Sequence, residues 1–204
     1  MVRVAVLVSG GGTNLQAVLD AKSSGLIPHG EIALVLSNRE NAYALTRARE
    51  NNIPSCVVKR EKGLAPEAYG VLLLEKLLEN DIDFIVLAGF LAILPENFIK
   101  AYEGRIINVH PSLIPSFCGA GYYGLRVHEA ALAYGVKVTG ATVHYVNEIP
   151  DGGKIIAQKA VYIQPEDTAE TLQKRVMVEA EWQLLPKAVE DCCRELYEKR
   201  RTVS

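Results

Sequence analysis

Over its first 110 residues, the chain alternates short, almost wholly apolar runs with longer segments in which apolar residues recur at helical spacing. The apolar runs lie at residues 2–8, 31–37, 54–58, 83–88 and 105–109. Strands that are apolar on both faces are typical of a parallel sheet that helices cover on both sides. The alternation therefore predicts an α/β fold with a Rossmann-like, doubly wound and mostly parallel sheet.

Helices are predicted between those runs, and further helices and strands are predicted in the second half of the chain. Helices are expected at residues 14–24, 42–51, 66–80, 95–101, 125–134 and 167–198, the last with Asp167 and Thr168 as candidate caps. Two further strands, at 136–146 and 154–162, are joined by a turn at 150–153. Because strands joined by a tight turn form a hairpin, the C-terminal half is expected to add antiparallel strands to the sheet.

The bulk composition limits the class of protein. The chain has 204 residues and is expected to fold as a single domain over 1–204. Its net charge of −2 offers no basic surface for nucleic acid, and no apolar run is long enough to span a membrane. The N-terminus lacks the pattern of a signal peptide, so a cytoplasmic location with reduced thiols is expected.

The four cysteines give no pattern of a metal site. Cys56, Cys118, Cys192 and Cys193 include no C-x-x-C pair, and no histidine lies at zinc-ligand spacing from them. No metal is therefore expected. Cys118 lies in the loop after His110, and we interpret it as a packing residue rather than a nucleophile.

A glycine-rich turn, Ser9-Gly10-Gly11-Gly12-Thr13-Asn14, joins the first predicted strand to the first helix. Backbone N–H groups at a helix N-terminus bind anions, so the turn predicts a site for one terminal phosphate. No acidic residue ends the second strand, which disfavours a nicotinamide cofactor, and no Lys-Ser/Thr pair follows the glycines, which argues against a nucleoside triphosphate loop. A purely structural turn is the alternative.

Three side chains suited to acyl transfer follow the fifth strand or lie in the later turn. Asn108 and His110 are two residues apart and share a strand face, with His110 placed just past the strand end. Asp151 begins an Asp-Gly-Gly turn. An amide stabilises an oxyanion, an imidazole transfers protons near neutral pH, and a carboxylate orients the imidazole. With a phosphate site beside them, these groups predict acyl transfer to a phosphorylated amine.

Each of these residues also has a structural alternative. His110 can cap the strand, Asp151 can be an ordinary turn residue, and His144 can be a core residue or lie behind the site. Asn108 argues against the first alternative, because two polar side chains on one face of an apolar strand are hard to explain by packing.

Four stretches of the chain resemble the phosphoribosylglycinamide formyltransferase family, the folate-dependent enzymes of purine synthesis. They are residues 8–16, 86–90, 107–117 and 140–146 with 151–153, in the same order over almost the whole chain. The run Asn108-x-His110-Pro111-Ser112-Leu113 and the Asp-Gly-Gly turn are shared by folate formyl enzymes in general. The N-terminal glycine turn selects the glycinamide ribonucleotide branch. The resemblance implies the formyltransferase fold and formyl transfer from 10-formyltetrahydrofolate to the amine of phosphoribosylglycinamide.

The resemblance also implies a role for each matching residue. The catalytic residues would be Asn108, His110 and Asp151. The ribonucleotide would contact Gly12, Thr13, Asn14, Gly89, Val109, Pro111 and Glu181, the last as the ribose-binding carboxylate. The folate would contact Phe90, Leu91, Ala92, Ile93, Leu94, Val146, Asn147, Glu148 and Asp151. The partners would be these small molecules, with no metal, and the chain would act as a monomer or homodimer.

The chain departs from the family pattern in four places. Ala92 and Pro66 stand where some members carry an arginine that would help hold the glutamate tail of the folate. Lys59, Arg60 and Lys62 follow the third strand and are the candidate substitutes. The loop at 118–123 is longer than in shorter members, and the stretch 175–181 contains one extra residue.

The expected mechanism uses Asn108 and a protonated His110 to stabilise the oxyanion, with Asp151 raising the pKa of His110 and accepting the proton of the amine through water. Three rival interpretations stay open. A 10-formyltetrahydrofolate hydrolase would usually carry a regulatory domain, and a methionyl-tRNA formyltransferase would carry an RNA-binding domain with a basic surface. Neither extra domain is expected in this chain. A phosphate-binding module with a structural His110 would have no activity.

Overall fold

Seven strands and seven α-helices alternate in the computed structural model, which describes residues 1–203. The strands are β1 (Val2–Val8), β2 (Gly30–Ser37), β3 (Ser55–Val57), β4 (Phe84–Leu87), β5 (Ile106–His110), β6 (Val138–Tyr145) and β7 (Ile155–Tyr162). The helices are α1 (Thr13–Ser23), α2 (Tyr43–Glu50), α3 (Pro66–Leu78), α4 (Glu96–Ala101), α5 (Leu125–Tyr134), α6 (Ala169–Val176) and α7 (Trp182–Val203). One π-helical turn, Met177–Glu181, joins α6 to α7.

The strands form one sheet in the order β3-β2-β1-β4-β5-β6-β7. The pairs among β1 to β5 are parallel, whereas β6 is antiparallel to β5 and β7 is antiparallel to β6. The predicted fold class, a doubly wound and mostly parallel sheet with antiparallel strands added in the C-terminal half, is therefore confirmed.

Two apolar layers cover the two faces of the sheet. Val4, Val6 and Val8 of β1 belong to the layer that includes residues of α1 and α7, and Ala5 and Leu7 belong to the layer beneath α3 and α4. Successive side chains of a strand point to opposite faces, so β1 supplies both layers and all its apolar side chains are buried. A third, smaller cluster lies between the β6–β7 hairpin and α6.

Two predictions about the elements were wrong. His110 is the last residue of β5, rather than a residue beyond it, because it still pairs with Thr142 of β6. The closing helix predicted over 167–198 is divided into α6, the π-turn and α7. A π-turn accommodates one residue more than an α-helix does over the same length, and it lies within the stretch 175–181, where the resemblance leads us to expect one extra residue. Thr168 does cap α6, through a capping box with Thr171.

Across residues 1–203, no helix combines the length and apolar character needed to cross a bilayer.

Candidate active site

The sheet reverses its winding direction between β1 and β4, since β2 and β3 lie on one side of this boundary and β4 to β7 on the other. In open α/β sheets, ligands bind at such a switch point, outside the carboxyl ends of the strands. The glycine turn follows β1, Gly89 follows β4, and Asn108 and His110 end β5. With neighbouring strands about 4.8 Å apart, the ends of β1 and β5 are about 10 Å from each other. The two parts of the predicted site therefore lie within the span of one small ligand.

The glycine turn is tied to α2 through its carbonyl groups. The Gly10 carbonyl accepts a hydrogen bond from the Ala44 N–H (3.1 Å), and the Gly11 carbonyl accepts one from Arg47 Nε (2.8 Å). Gly12 has a left-handed backbone (φ 72°), and no side chain caps α1 at this position. The first N–H groups of a helix have no intrahelical acceptor, so the start of α1 offers donors to an anion.

Behind this turn, Asn14 and Glu181 form a polar pair. Asn14 Nδ2 donates to Glu181 Oε2 (2.5 Å), and Thr13 Oγ1 contacts Met177 Sδ (3.7 Å). Burial raises the pKa of Glu181 to about 6, although the Asn14 hydrogen bond acts in the opposite direction. The π-turn thus brings the predicted ribose-binding carboxylate to the predicted phosphate turn.

His110 is enclosed, with only 4% of its surface exposed, and each of its ring nitrogens faces a defined neighbour. Nε2 donates to the Phe117 carbonyl oxygen (2.9 Å), while Nδ1 lies 3.5 Å from Asp151 Oδ2. The latter distance exceeds that of an ordinary N–H···O hydrogen bond. Asp151 Oδ2 accepts its close hydrogen bond from the Gly119 N–H (2.8 Å).

Asn108 is held from the neighbouring strand by His144, its direct partner across the β5–β6 pair. His144 Nδ1 donates to the Tyr145 carbonyl (2.8 Å), so in the neutral ring Nε2 accepts a hydrogen bond from Asn108 Nδ2 (3.2 Å). His144 Nε2 is also 3.6 Å from Asp151 Oδ1. An amide nitrogen carries two hydrogens, so Asn108 keeps one for a ligand after bonding to His144.

Asp151 raises the pKa of His110, as expected, but its effect is not the largest one on this group. Burial lowers the pKa of His110 below its ordinary value of 6.5, and this outweighs the raising effects of Asp151 and of the Phe117 carbonyl. For Asp151 itself, burial alone would raise the pKa, but the adjacent imidazoles of His144 and His110 and the hydrogen bond from the Gly119 N–H together lower it. At neutral pH, these directions favour a neutral His110 imidazole beside an ionised Asp151 carboxylate in the free protein.

The predicted folate-contacting residues fall into two groups. Phe90, Ala92, Leu94 and Val146 are partly buried and pack against the layer beneath α3 and α4. Leu91, Ile93, Asn147 and Glu148 are exposed beside them. The first group therefore forms part of an apolar layer, whereas the second is open to solvent.

The remaining predicted ligand contacts come from backbone or partly buried groups. The side chain of Val109 is 6% exposed and belongs to the core, so only its backbone can contact a ribonucleotide. Gly89 has a left-handed backbone (φ 73°), with open space where a side chain would stand. Pro111 is half-buried.

The surroundings of Cys118 do not favour a nucleophilic thiol. Its thiol donates to the Pro115 carbonyl (3.3 Å), and burial together with the charge of Asp151 raises its pKa, which opposes formation of a nucleophilic thiolate. Among residues 1–203, no group of three or more His, Cys, Asp and Glu side chains is placed to hold a metal ion.

Sequence reasoning missed three contributors to this site, namely His144, Phe117 and Gly119. His144 was left undecided between the core and the site, and the register of β6 against β5 is what places it beside Asn108. Phe117 and Gly119 act through backbone groups. Side-chain patterns carry no signal for such contacts.

Comparison with known proteins gives one consistent family. The formyl transferase family model matches residues 2–189. A phosphoribosylglycinamide formyltransferase from Haemophilus influenzae is 41% identical over 186 residues, which are 91% of this chain and 84% of that protein. The chloroplastic phosphoribosylglycinamide formyltransferase of Vigna unguiculata is 40% identical over 95% of this chain, which spans 61% of its length. The crystal structure of glycinamide ribonucleotide transformylase 1 from Symbiobacterium toebii superposes with a TM-score of 0.89 at 38% identity, covering 96% of this chain and 89% of that one.

Proposed function

The chain belongs to the formyl transferase family, and from that premise we propose that it transfers the formyl group of 10-formyltetrahydrofolate to the amine of phosphoribosylglycinamide. The observation that carries this proposal is the meeting of Asn108, His110 and Asp151 at the carboxyl edge of the sheet, about 10 Å from an anion-binding turn. A phosphorylated amine that spans this distance presents its phosphate to the turn and its nitrogen to His110.

The ribonucleotide would be held at the turn and by the Asn14–Glu181 pair. N–H groups at the start of α1, with Gly12, Thr13 and Asn14, would take the phosphate. The Glu181 carboxylate would accept hydrogen bonds from the ribose hydroxyls. The backbone at Gly89, Val109 and Pro111 would border the amine.

The folate would enter over the partly buried group formed by Phe90, Ala92, Leu94 and Val146. The exposed Leu91, Ile93, Asn147 and Glu148 would surround its opening, so that its formyl carbon lies above Asp151. We further propose that the chain works in the cytoplasm as a monomer or homodimer, on small molecules alone and without a metal.

The neutral state of His110 changes the expected order of the proton transfers. The amine attacks the formyl carbon, the C=O π electrons move to oxygen, and the free hydrogen of Asn108 Nδ2 donates to the developing oxyanion. His110 Nδ1, which carries the lone pair of the neutral ring, takes the proton that leaves the amine. The resulting imidazolium is stabilised by Asp151, 3.5 Å away. When the tetrahedral intermediate collapses, Nδ1–H returns the proton to the departing folate nitrogen, and the C–N bond to the folate breaks.

A spectroscopic assay of tetrahydrofolate formation tests this function. We expect release of tetrahydrofolate only when both the formyl folate and phosphoribosylglycinamide are present. Equal release without the ribonucleotide would identify a hydrolase instead. No release under either condition would identify a binding module.

Replacing Glu181 with Gln is expected to weaken ribonucleotide binding by about 10–100-fold, the value of a charge-assisted hydrogen bond, and at the same time to stabilise the fold. A carboxyl with a pKa of about 6 when folded and 4.5 when unfolded binds more protons in the folded state. The free energy of unfolding therefore falls as the pH rises from 4.5 to 6. Above pH 6, this carboxyl makes it about 2 kcal/mol lower than it is below pH 4.5. Calorimetric titration with the ribonucleotide and thermal unfolding between pH 4 and 8 measure both effects.

Glu179→Gln is the matched control for this variant, since Glu179 lies on the same π-turn but is exposed. It should change neither quantity. If Glu181→Gln binds the ribonucleotide normally, the carboxylate does not hold the ribose.

The glutamate tail of the folate is expected to add little to binding. Pro66 begins α3 and Ala92 is partly buried, so neither supplies a cation. Lys59 is paired with Glu40 (2.6 Å), and Arg60 bonds to the Leu64 carbonyl. An exposed ion pair contributes about 0.2–1 kcal/mol, so we expect a gain of less than about tenfold per carboxylate contact. The measurement is the KM for the folate with and without its glutamate.

In the same assay, Ala92→Arg should increase the preference for the glutamate form, whereas Leu78→Arg, at an exposed position in α3, should not. A hundredfold loss in the wild type on removing the glutamate would reveal a strong tail site and refute this interpretation.

A further inference from the structure

The loop between β5 and α5 contacts both members of the His110–Asp151 pair through its backbone. The Phe117 carbonyl accepts a hydrogen bond from His110 Nε2 (2.9 Å), and the Gly119 N–H donates one to Asp151 Oδ2 (2.8 Å). Three consecutive residues therefore bridge an imidazole and a carboxylate that are not within hydrogen-bonding distance of each other.

The Phe117 contact determines which nitrogen of His110 carries the hydrogen. A carbonyl oxygen only accepts, so the hydrogen of the neutral ring is on Nε2, and the lone pair is on Nδ1. The Asp151 carboxylate favours the opposite arrangement, because a hydrogen on Nδ1 would point at it from 3.5 Å. Without the Phe117 carbonyl, the base nitrogen and the hydrogen-bearing nitrogen would exchange places in part of the molecules.

The backbone of Phe117 does not adopt this position by its own preference. Its φ of 49° lies in the left-handed region, which is uncommon for any residue other than glycine. Such a conformation persists only where the surroundings enforce it.

Hydrogen bonds hold the residues on both sides of Phe117, and two ring contacts hold its side chain. The Phe117 ring packs edge-on against Tyr134, the last residue of α5 (centroids 6.0 Å apart, 72° between planes), and against Tyr122 (6.5 Å, 62°). Edge-to-face pairs at such distances are favourable. We call Phe117, Tyr122 and Tyr134 the aromatic clasp. Tyr134 is 80% exposed, so its ring contributes to this contact without being part of the core.

We propose that the aromatic clasp is a positioning device for the reaction, which holds the Phe117 carbonyl on His110 so that Nδ1 is kept as the base beside Asp151. This inference rests on the proposed formyl transfer. Within it, Tyr134 is a positioning residue that acts through Phe117.

The test compares Tyr134→Ala with Tyr134→Phe, which keeps the ring, and with Tyr162→Ala, which removes a tyrosine that is 70% exposed at the end of β7. The first readout is the ¹⁵N NMR spectrum of the histidine rings in the ligand-free protein, which reports the hydrogen on each nitrogen of His110. We expect the Nε2–H form in the wild type, in Tyr134→Phe and in Tyr162→Ala. In Tyr134→Ala, a second population with the hydrogen on Nδ1 should appear.

The second readout is steady-state kinetics. Tyr134→Ala should lower kcat by about tenfold, the scale of one lost ring pair, with both KM values within about twofold of wild type. Tyr134→Phe should restore kcat. An unchanged ring spectrum in Tyr134→Ala, or a loss in Tyr134→Phe equal to that in Tyr134→Ala, would overturn the proposal. The NMR readout needs no substrate, so an inactive wild type, which would refute formyl transfer, is recognised separately.

Discussion

Replacing His110 with Ala is expected to lower kcat by roughly 10²–10⁴-fold, the usual contribution of a positioned acid–base group. The variant loses the acceptor for the amine's proton and the donor to the leaving nitrogen in one step. Asp151→Asn should fall in the same range, because the imidazolium loses its stabilising charge. Steady-state kinetics with both substrates measure the change, and circular dichroism with thermal unfolding checks that each variant is folded.

A variant that combines His110→Ala with Asp151→Asn tests whether the two side chains act as one unit in catalysis. Residues that act as a unit show strongly non-additive effects, so the double variant should be little slower than the worse single variant. His29→Ala is the matched control, since His29 pairs with Glu190 of α7, outside the proposed site. A folded His110→Ala protein with near-normal turnover would remove His110 from the mechanism.

Substituting Gly12 with Val is expected to abolish measurable ribonucleotide binding and to destabilise the fold by several kcal/mol. The left-handed φ of 72° is unfavourable for a β-branched residue, by about 1–3 kcal/mol. A side chain would also meet Ala44 Cβ at 2.6 Å and Ala44 Cα at 2.9 Å. Because α2 holds the glycine turn through Ala44 and Arg47, its displacement would move the anion-binding groups themselves.

Gly25→Val separates the two causes. Gly25 has a similar φ (81°), with open space around it, at the other end of α1. The Gly25→Val variant should therefore be destabilised only by the unfavourable backbone angle, and it should bind the ribonucleotide with unchanged affinity. Titration calorimetry of both ligands completes the test, and an equal loss of ribonucleotide and folate binding in Gly12→Val would mean that the turn is only structural.

The fold could be predicted from the sequence because each strand and helix is marked by residues within its own segment. The almost wholly apolar run of β1 and the turn residues after it predict a strand and a helix N-terminus without knowledge of the rest of the chain. The Asp-Gly-Gly turn likewise predicts a hairpin. Since these segments follow the rules for parallel sheets, the carboxyl edge that gathers Gly12, Asn108 and His110 could be predicted as well.

What could not be predicted depends on contacts between distant segments. His144 faces Asn108 only because β6 is in one particular register against β5. The lowered pKa of His110 depends on how completely the loop covers it, and neither Asp151 nor any nearby residue reveals that in the sequence. The apolar periodicity of this segment predicts one continuous helix, but the π-turn divides it. The π-turn ends at Glu181, the residue that accepts the hydrogen bond from Asn14.

Formyl transfer to the ribonucleotide requires that the formyl group passes to the amine and not to water. The most direct measurement is a single-turnover reaction with folate carrying a ¹³C-labelled formyl group, followed by ¹³C NMR. We expect the label to appear in the formamide of the glycinamide ribonucleotide, at a rate that falls by roughly 10²–10⁴-fold in His110→Ala. Label recovered as formate, at the same rate with and without the ribonucleotide, would contradict it.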